Sequence, residues 1–308
     1  MKRTLNDSEI ETSDDPFLRP PPEETLNWVV SAVESGARVD KVSALTEGHW
    51  HANHVVTVED RSGKKRNLML RRWVRPEWKK EDPDFTPNRE AVVLRAVETV
   101  EIPTPQVIAV DNDGSACDVP ALLTDLLPGR PPAPRLSSME FVSQLAKALI
   151  QVHETEPKSD VPNYRRYYCP QEVELPKWSS RSEIWKKAIE IADSPAPKAK
   201  GLLIHRDYHP GNTLWAKDQL TGIVDWTTGS LGAAEVDTGH MRWNLVTLHG
   251  VDTADRFLDE YESVSGPLEH QPYWDLVTVV DALPDLKPGS GLDLKNLEKY
   301  VEGVVRRA

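Results

Sequence analysis

Asp207, Asn212 and Asp225 offer carboxylate and amide oxygens at a spacing that phosphoryl transfer requires. An apolar pair, Leu203-Ile204, runs into His205-Arg206-Asp207-Tyr208-His209-Pro210-Gly211-Asn212, and a second apolar run, Gly222-Ile223-Val224, delivers Asp225. An H-x-D-x-x-x-x-N string followed by an acid at the end of a strand-like run is the sequence form of a phosphoryl-transfer catalytic loop and its metal-binding acid.

Phosphoryl transfer needs little covalent chemistry from a protein and much positioning, because negative charge must be neutralised while a hydroxyl is aimed in line at phosphorus. Asp207 is expected to accept a hydrogen bond from that hydroxyl and to take its proton. Asn212 and Asp225 suit Mg²⁺, which prefers oxygen ligands and keeps positions for water and phosphate. Asn212 is neutral, so the pair does not repel a triphosphate. His205 is expected to brace backbone rather than touch substrate, and His209 to be either a structural hydrogen-bonding residue or part of the site. A rival chemistry exists: His205, Asp207 and His209 alternate and would share one face of a strand, as in a zinc or di-metal hydrolase. Pro210-Gly211 directly after them favours a loop instead.

HRDYHPGN, IVDW and the downstream Asp237 resemble the aminoglycoside phosphotransferase family of small-molecule kinases, from about Leu45 to the helical C-terminal region. Two departures stand out. Arg206 occupies a place where that family commonly has glycine, and Thr227-Thr228 replaces the aspartate or glycine that commonly follows its metal acid. The resemblance implies an α+β, two-lobed protein-kinase-like fold, with a small N-lobe built on an antiparallel sheet and a larger, mainly helical C-lobe. Residues 1–22 would be a flexible arm, 23–127 the nucleotide-covering N-lobe, and 128–308 the catalytic and acceptor-binding C-lobe. It also implies that Asp237 opens a helix and accepts backbone hydrogen bonds from the catalytic loop; plain compensation of the helix dipole is the alternative.

Behind these residues lies an ordinary water-soluble composition of 39% apolar and 28% charged residues over 308 positions. The net charge of −12 and pI near 5.3 argue against nucleic-acid binding, which rests on basic patches. No apolar run reaches the roughly eighteen residues of a membrane span, and the first residues lack the apolar core of a secretory signal. Cys117 and Cys169 lie in unlike contexts and suggest a reduced, cytoplasmic setting.

Several elements must position the chemistry. Leu26, Val29, Val30 and Val33 form a helical stripe ended by Ser35-Gly36. Strands are expected over Val39–Leu45, Asn53–Val58 and Asn67–Trp73, with a hairpin turn at Asp60-Arg61-Ser62-Gly63. The segment Thr46–Asn53 would cover the nucleotide, although it lacks a glycine-rich fingerprint. Leu68-Met69-Leu70-Arg71 resembles the kinase strand that carries a phosphate-binding lysine, with Arg71 in that role and Arg72 as a competitor. Glu90, on a helix with Val93, Leu94 and Val97, is the expected partner of that basic residue; a solvated helix glutamate is the alternative. Strands Gln106–Val110 and Pro120–Thr124 complete the sheet. Leu123–Gly129 resembles the kinase hinge, so that Thr124 and Leu126 would meet the purine of ATP or GTP through backbone.

In the second half, Ser137-Ser138-Met139-Glu140 reads as a capping box for a helix burying Phe141, Leu145, Ala148, Leu149 and Val152. Residues 155–180, with Tyr164, Tyr167, Tyr168 and Trp178, read as an irregular segment that either closes over the acceptor or pins itself to the lobe. A helix over Ser182–Ala192 is expected to bury Ile184, Ala188 and Ile191. Further helices carry Met241, Leu245 and Leu248, then Ala254, Phe257, Leu258 and Tyr261. Asp252, Asp255, Asp259, Glu260, Trp274, Asp275 and Asp281 could line an acidic acceptor pocket or be surface charge. The expected function is transfer of a nucleoside triphosphate's γ-phosphate to a hydroxyl of a small molecule, an antibiotic being the family-level expectation. A nucleotide-binding regulatory module and a metal-dependent hydrolase are the alternatives.

Overall fold

Period-two burial organises the first half of the chain. In Ala52–Glu59 (β2) the residues alternate buried and half-buried, with Ala52, His54, Val56 and Val58 inward. The flanking strands Arg38–Ala44 (β1) and Lys65–Arg72 (β3) pair with it antiparallel, the β2–β3 turn closing on Asp60, whose carboxylate accepts from the backbone N–H groups of Ser62 and Lys64. Val107–Asp111 (β4) and Ala121–Asp125 (β5) complete a five-stranded antiparallel sheet in the order β1-β2-β3-β5-β4. Helix Glu23–Val33 (α1) lays Val29 on the core formed by Val56, Val58, Leu68, Leu70 and Leu123. Helix Pro87–Ala96 (α2) is capped by Thr86, whose side chain accepts from the N–H of Arg89, with Pro87 at its first turn.

The structure, a computed structural model, describes residues 15–33, 36–45, 51–75, 77, 84–133, 138–157 and 161–308. Residues 46–50 of the expected nucleotide-covering segment lie outside them. The sheet belongs to one compact unit, Met1–Glu98 with Thr104–Leu127; the other comprises Thr99–Pro103 and Pro128–Ala308. Arg19, in the stretch expected to be a loose arm, is tied down: its carbonyl accepts from the Arg72 guanidinium at 2.6 Å.

The second unit holds helices Met139–His153 (α3) and Ser182–Asp193 (α4), a two-stranded pair of Leu202–Ile204 (β6) with Ser230–Gly232 (β9), and the hairpin Thr213–Ala216 (β7) with Gln219–Ile223 (β8). Helices Ala234–His249 (α5), Val251–Ser265 (α6), Gln271–Ala282 (α7) and Leu294–Val305 (α8) follow. The expected α3 stripe is buried, but its cap is Ser138, accepting from the N–H of Phe141, one residue later than the capping box required. On α4 the buried residues are Trp185, Ala188 and Ala192, with Ile184 and Ile191 only half-buried, because the large Trp185 ring takes the core position and donates its indole N–H to Glu298. Helix α5 is buried on nearly all sides, from Ala234 to Thr247, so it has no single apolar stripe, and Leu248 is exposed. Among the described residues no helix is long and apolar enough to cross a membrane.

Candidate active site

Strand β6 ends at Ile204 and releases the chain into a loop that is braced residue by residue. His205 is fully buried, its ring 4.4 Å from that of Trp226, and its Nε2 lies 3.0 Å from the Val224 carbonyl. It therefore braces backbone, and the strand face that a His-Asp-His metal centre would need does not form. Among the described residues no group of three or more His, Cys, Asp and Glu stands together as a metal site.

The next residue, Arg206, adopts φ +70°, a left-handed backbone that costs a side-chain-bearing residue about 1 kcal/mol or more. Asp237, fully buried on α5, holds that turn. Its Oδ2 accepts from the N–H of His205 at 2.8 Å and its Oδ1 from the N–H of Arg206 at 2.6 Å. Behind it His153 Nε2 lies 3.0 Å from Asp237 Oδ2, and His153 Nδ1 lies 2.7 Å from the Tyr261 hydroxyl. The helical aspartate thus does what the resemblance implied.

Asp207 follows, its side chain one-third exposed. Its Oδ2 accepts from Asn212 Nδ2 at 2.9 Å, and its Oδ1 lies 3.0 Å from His240 Nε2; His209 Nε2 stands 3.8 Å from Oδ2. Desolvation raises the pKa of this carboxyl, but the opposing influence of His209, His240 and His205 is larger, and Asp207 is held well below the usual carboxylate range. A short 3-10 turn, Pro210–Asn212, started by His209 accepting the Gly211 N–H, brings Asn212 back to Asp207. The carbonyl of Asn212 accepts from the N–H of Val224 at 2.9 Å, and that bond fixes the loop against the residue preceding Asp225. Asp225 has φ +67° and accepts from the Thr227 hydroxyl at 3.0 Å. The structure thus brings Asp207 and Asn212 into direct contact and ties Asn212 to the backbone beside Asp225.

In the sheet unit, Arg71 and Glu90 form a buried ion pair, and His51 Nδ1 lies 2.8 Å from the second guanidinium nitrogen of Arg71. Arg72 is spent elsewhere, on Asp118 at 2.6 Å and on the Arg19 carbonyl. Glu90 is no solvated helix residue. Thr124 lies within β5, opposite Met69 and Val107, and its hydroxyl donates to the Asp125 carbonyl; Leu126 is half-buried just past the strand.

The model of the phosphotransferase enzyme family matches residues 45–273. This chain is a member of that family. Solved structures agree in fold. A thermostable mutant of the aminoglycoside phosphotransferase APH(4)-Ia, in ternary complex with AMP-PNP and hygromycin B, superposes with a TM-score of 0.60 at 12% identity, covering 93% of this chain and 97% of that one. The macrolide 2'-phosphotransferase MphH from Brachybacterium faecium gives 0.59 at 16% identity, covering 92% and 99%. The type VIII aminoglycoside-3'-phosphotransferase gives 0.58 at 17%, covering 84% and 98%. No curated protein matches the sequence.

As a phosphotransferase-family chain it has two features that reading residue types along the sequence missed. His240 contacts Asp207 although nothing in the HRD string announces it. The available signal was its position three residues after Asp237, which puts both on one face of α5. The other is the acidic set beyond Asp225. Asp255 and Asp275 both pair with Arg242, and Asp281 accepts from the backbone N–H groups of Tyr167 and Tyr168.

Proposed function

We propose that this chain transfers the γ-phosphate of ATP or GTP to a hydroxyl of a small molecule, with Mg²⁺ as the metal. The observation that carries the reading is the Asp207 carboxylate, one-third exposed and oriented by Asn212 and His240. Asp207 accepts the acceptor's hydroxyl proton in a hydrogen bond, aims the oxygen, and takes the proton as the bond to the γ-phosphorus forms and the β–γ bridging P–O bond breaks, releasing the nucleoside diphosphate. Held below the ordinary carboxylate range, it is ionised throughout neutral pH and ready to accept.

The residues fit a hard divalent cation. Asn212 spends its amide nitrogen on Asp207, which turns its oxygen into the free donor, and Asp225 supplies a carboxylate next to Val224, whose N–H is bonded to Asn212. When bound, Mg²⁺ would offset the charge of the phosphates. Arg71, ordered by Glu90 and His51, is suited to phosphate oxygens, and the backbone at Thr124 and Leu126 to the purine edge. A nucleotide-dependent reaction of this kind suits the cytoplasm, and Cys117 and Cys169 are both unpaired thiols.

The test is nucleotide consumption with Mg²⁺ across a panel of hydroxylated acceptors, with product mass determined. Asp207→Asn should lower turnover by about 10²–10⁴ while nucleotide still binds. Asp225→Ala should weaken Mg²⁺-nucleotide binding itself. Bound nucleotide, no phosphorylated product and slow hydrolysis indifferent to Asp207→Asn would point instead to a regulatory binding module.

A further inference from the structure

Resting on the kinase reading, we infer that the acceptor is an uncharged hydroxylated molecule that lays a ring face on Tyr167, and not a polycation. Three observations lead there. Arg206 keeps a left-handed backbone that glycine would adopt freely, and its guanidinium is buried 3.6 Å from the Tyr167 ring centre and 5.6 Å from that of Tyr164. The strain therefore accompanies a contact between the catalytic loop and the irregular segment after α3.

Tyr167 is held on three sides and open on the fourth. Its backbone N–H donates to Asp281 Oδ2 at 3.2 Å, its hydroxyl donates to Thr228 Oγ1 at 3.3 Å, and Arg206 covers one ring face, yet the residue remains 43% exposed. A ring fixed in this way loses little freedom on binding, which favours stacking. Thr228 follows shortly after Asp225, and Arg206, whose guanidinium lies on the ring, directly precedes Asp207. The ring therefore stands beside both chain segments that carry the candidate acids.

The charge around it decides the ligand. A cation already on one face of an aromatic ring draws on the same π density that a second cation would seek, so the open face favours a sugar's C–H face or another ring over an ammonium. Three of the acids beyond Asp225 are engaged: Asp275 and Asp255 with Arg242, and Asp281, itself buried, with the two tyrosine amides.

The experiment is calorimetric titration of the protein loaded with Mg²⁺ and AMP-PNP, using a panel of neutral aryl glycosides and a panel of aminoglycosides. Wild type should bind members of the neutral panel more tightly, Tyr167→Ala should weaken that binding about tenfold, and Tyr167→Phe should restore most of it. Arg206→Gly, which suits the backbone there, should weaken it by roughly threefold through loss of the backing cation. Tighter binding of aminoglycosides, neutral binding indifferent to Tyr167→Ala, or no binding by either panel each overturns the inference. The kinase reading is judged separately, by whether AMP-PNP binds with Mg²⁺ and loses affinity in Asp225→Ala.

Discussion

His240 Nε2 stands 3.0 Å from Asp207 Oδ1, while Asp237, one helical turn earlier on α5, accepts the backbone N–H groups of His205 and Arg206. One buried helix therefore positions both the backbone of the His205–Asn212 loop and its carboxylate.

His240→Ala should lower turnover by about tenfold or more, the worth of a hydrogen bond to a charged group, with little change in nucleotide affinity. Asp207 is depressed in the folded protein, so it stabilises the fold above its unfolded pKa, and that contribution is lost as pH falls through the folded value. Removing His240 shrinks the depression, so the acid limb of the pH–rate profile should move upward. An unmoved limb in His240→Ala would remove His240 from this role.

Asp237→Ala strands two buried backbone N–H groups and His153 together. Urea unfolding should show a loss of about 3–5 kcal/mol, the usual result of deleting one member of a buried charged network. A loss under about 1 kcal/mol would mean that the loop holds its shape without Asp237.

At Arg206 the backbone conformation separates two substitutions that would otherwise look alike. With φ at +70°, Arg206→Gly should be more stable than Arg206→Ala by about 1 kcal/mol, since only alanine pays the left-handed penalty. Equal unfolding midpoints for the two variants would contradict that backbone.

Glu90→Ala leaves the buried Arg71 guanidinium without its carboxylate and should cost roughly 3 kcal/mol, together with a clear loss of nucleotide affinity. Arg71→Lys keeps the charge but gives up the guanidinium fork that spans Glu90 and His51, so it should retain only part of the wild-type nucleotide affinity.

His54 gives the sheet unit a pH dependence. Burial first, and then the nearby Arg72 charge, lower its pKa from 6.5 to about 4. A lowered folded value means that the unfolded chain takes up the proton first as pH falls. Stability from neutral His54 is therefore full above pH 6.5 and is lost between 6.5 and about 4, to a total on the order of 3 kcal/mol. His54→Leu should flatten the stability profile in that window; an unchanged slope would assign it to other groups.

The sequence by itself determined the parts of this protein whose physics is local. A loop that must return Asn212 to Asp207 within one short turn has little choice of spacing, so the string was readable as chemistry. The alternation in Leu68-Met69-Leu70-Arg71 and the turn at Asp60-Arg61-Ser62-Gly63 made the strands readable and put Arg71 on the opposite face from Leu68 and Leu70. What only the tertiary structure decided depends on distant segments meeting. The pairing of Arg71 with Glu90 and of Arg72 with Asp118 was decided there, as were the bond between His240 and Asp207, by how α5 packs against the loop, and the fate of Asp275 and Asp281, by Arg242 and two tyrosine amides. A charged side chain carries no mark of its partner in its own neighbourhood of sequence, because the partner is chosen by which buried groups desolvation forces together.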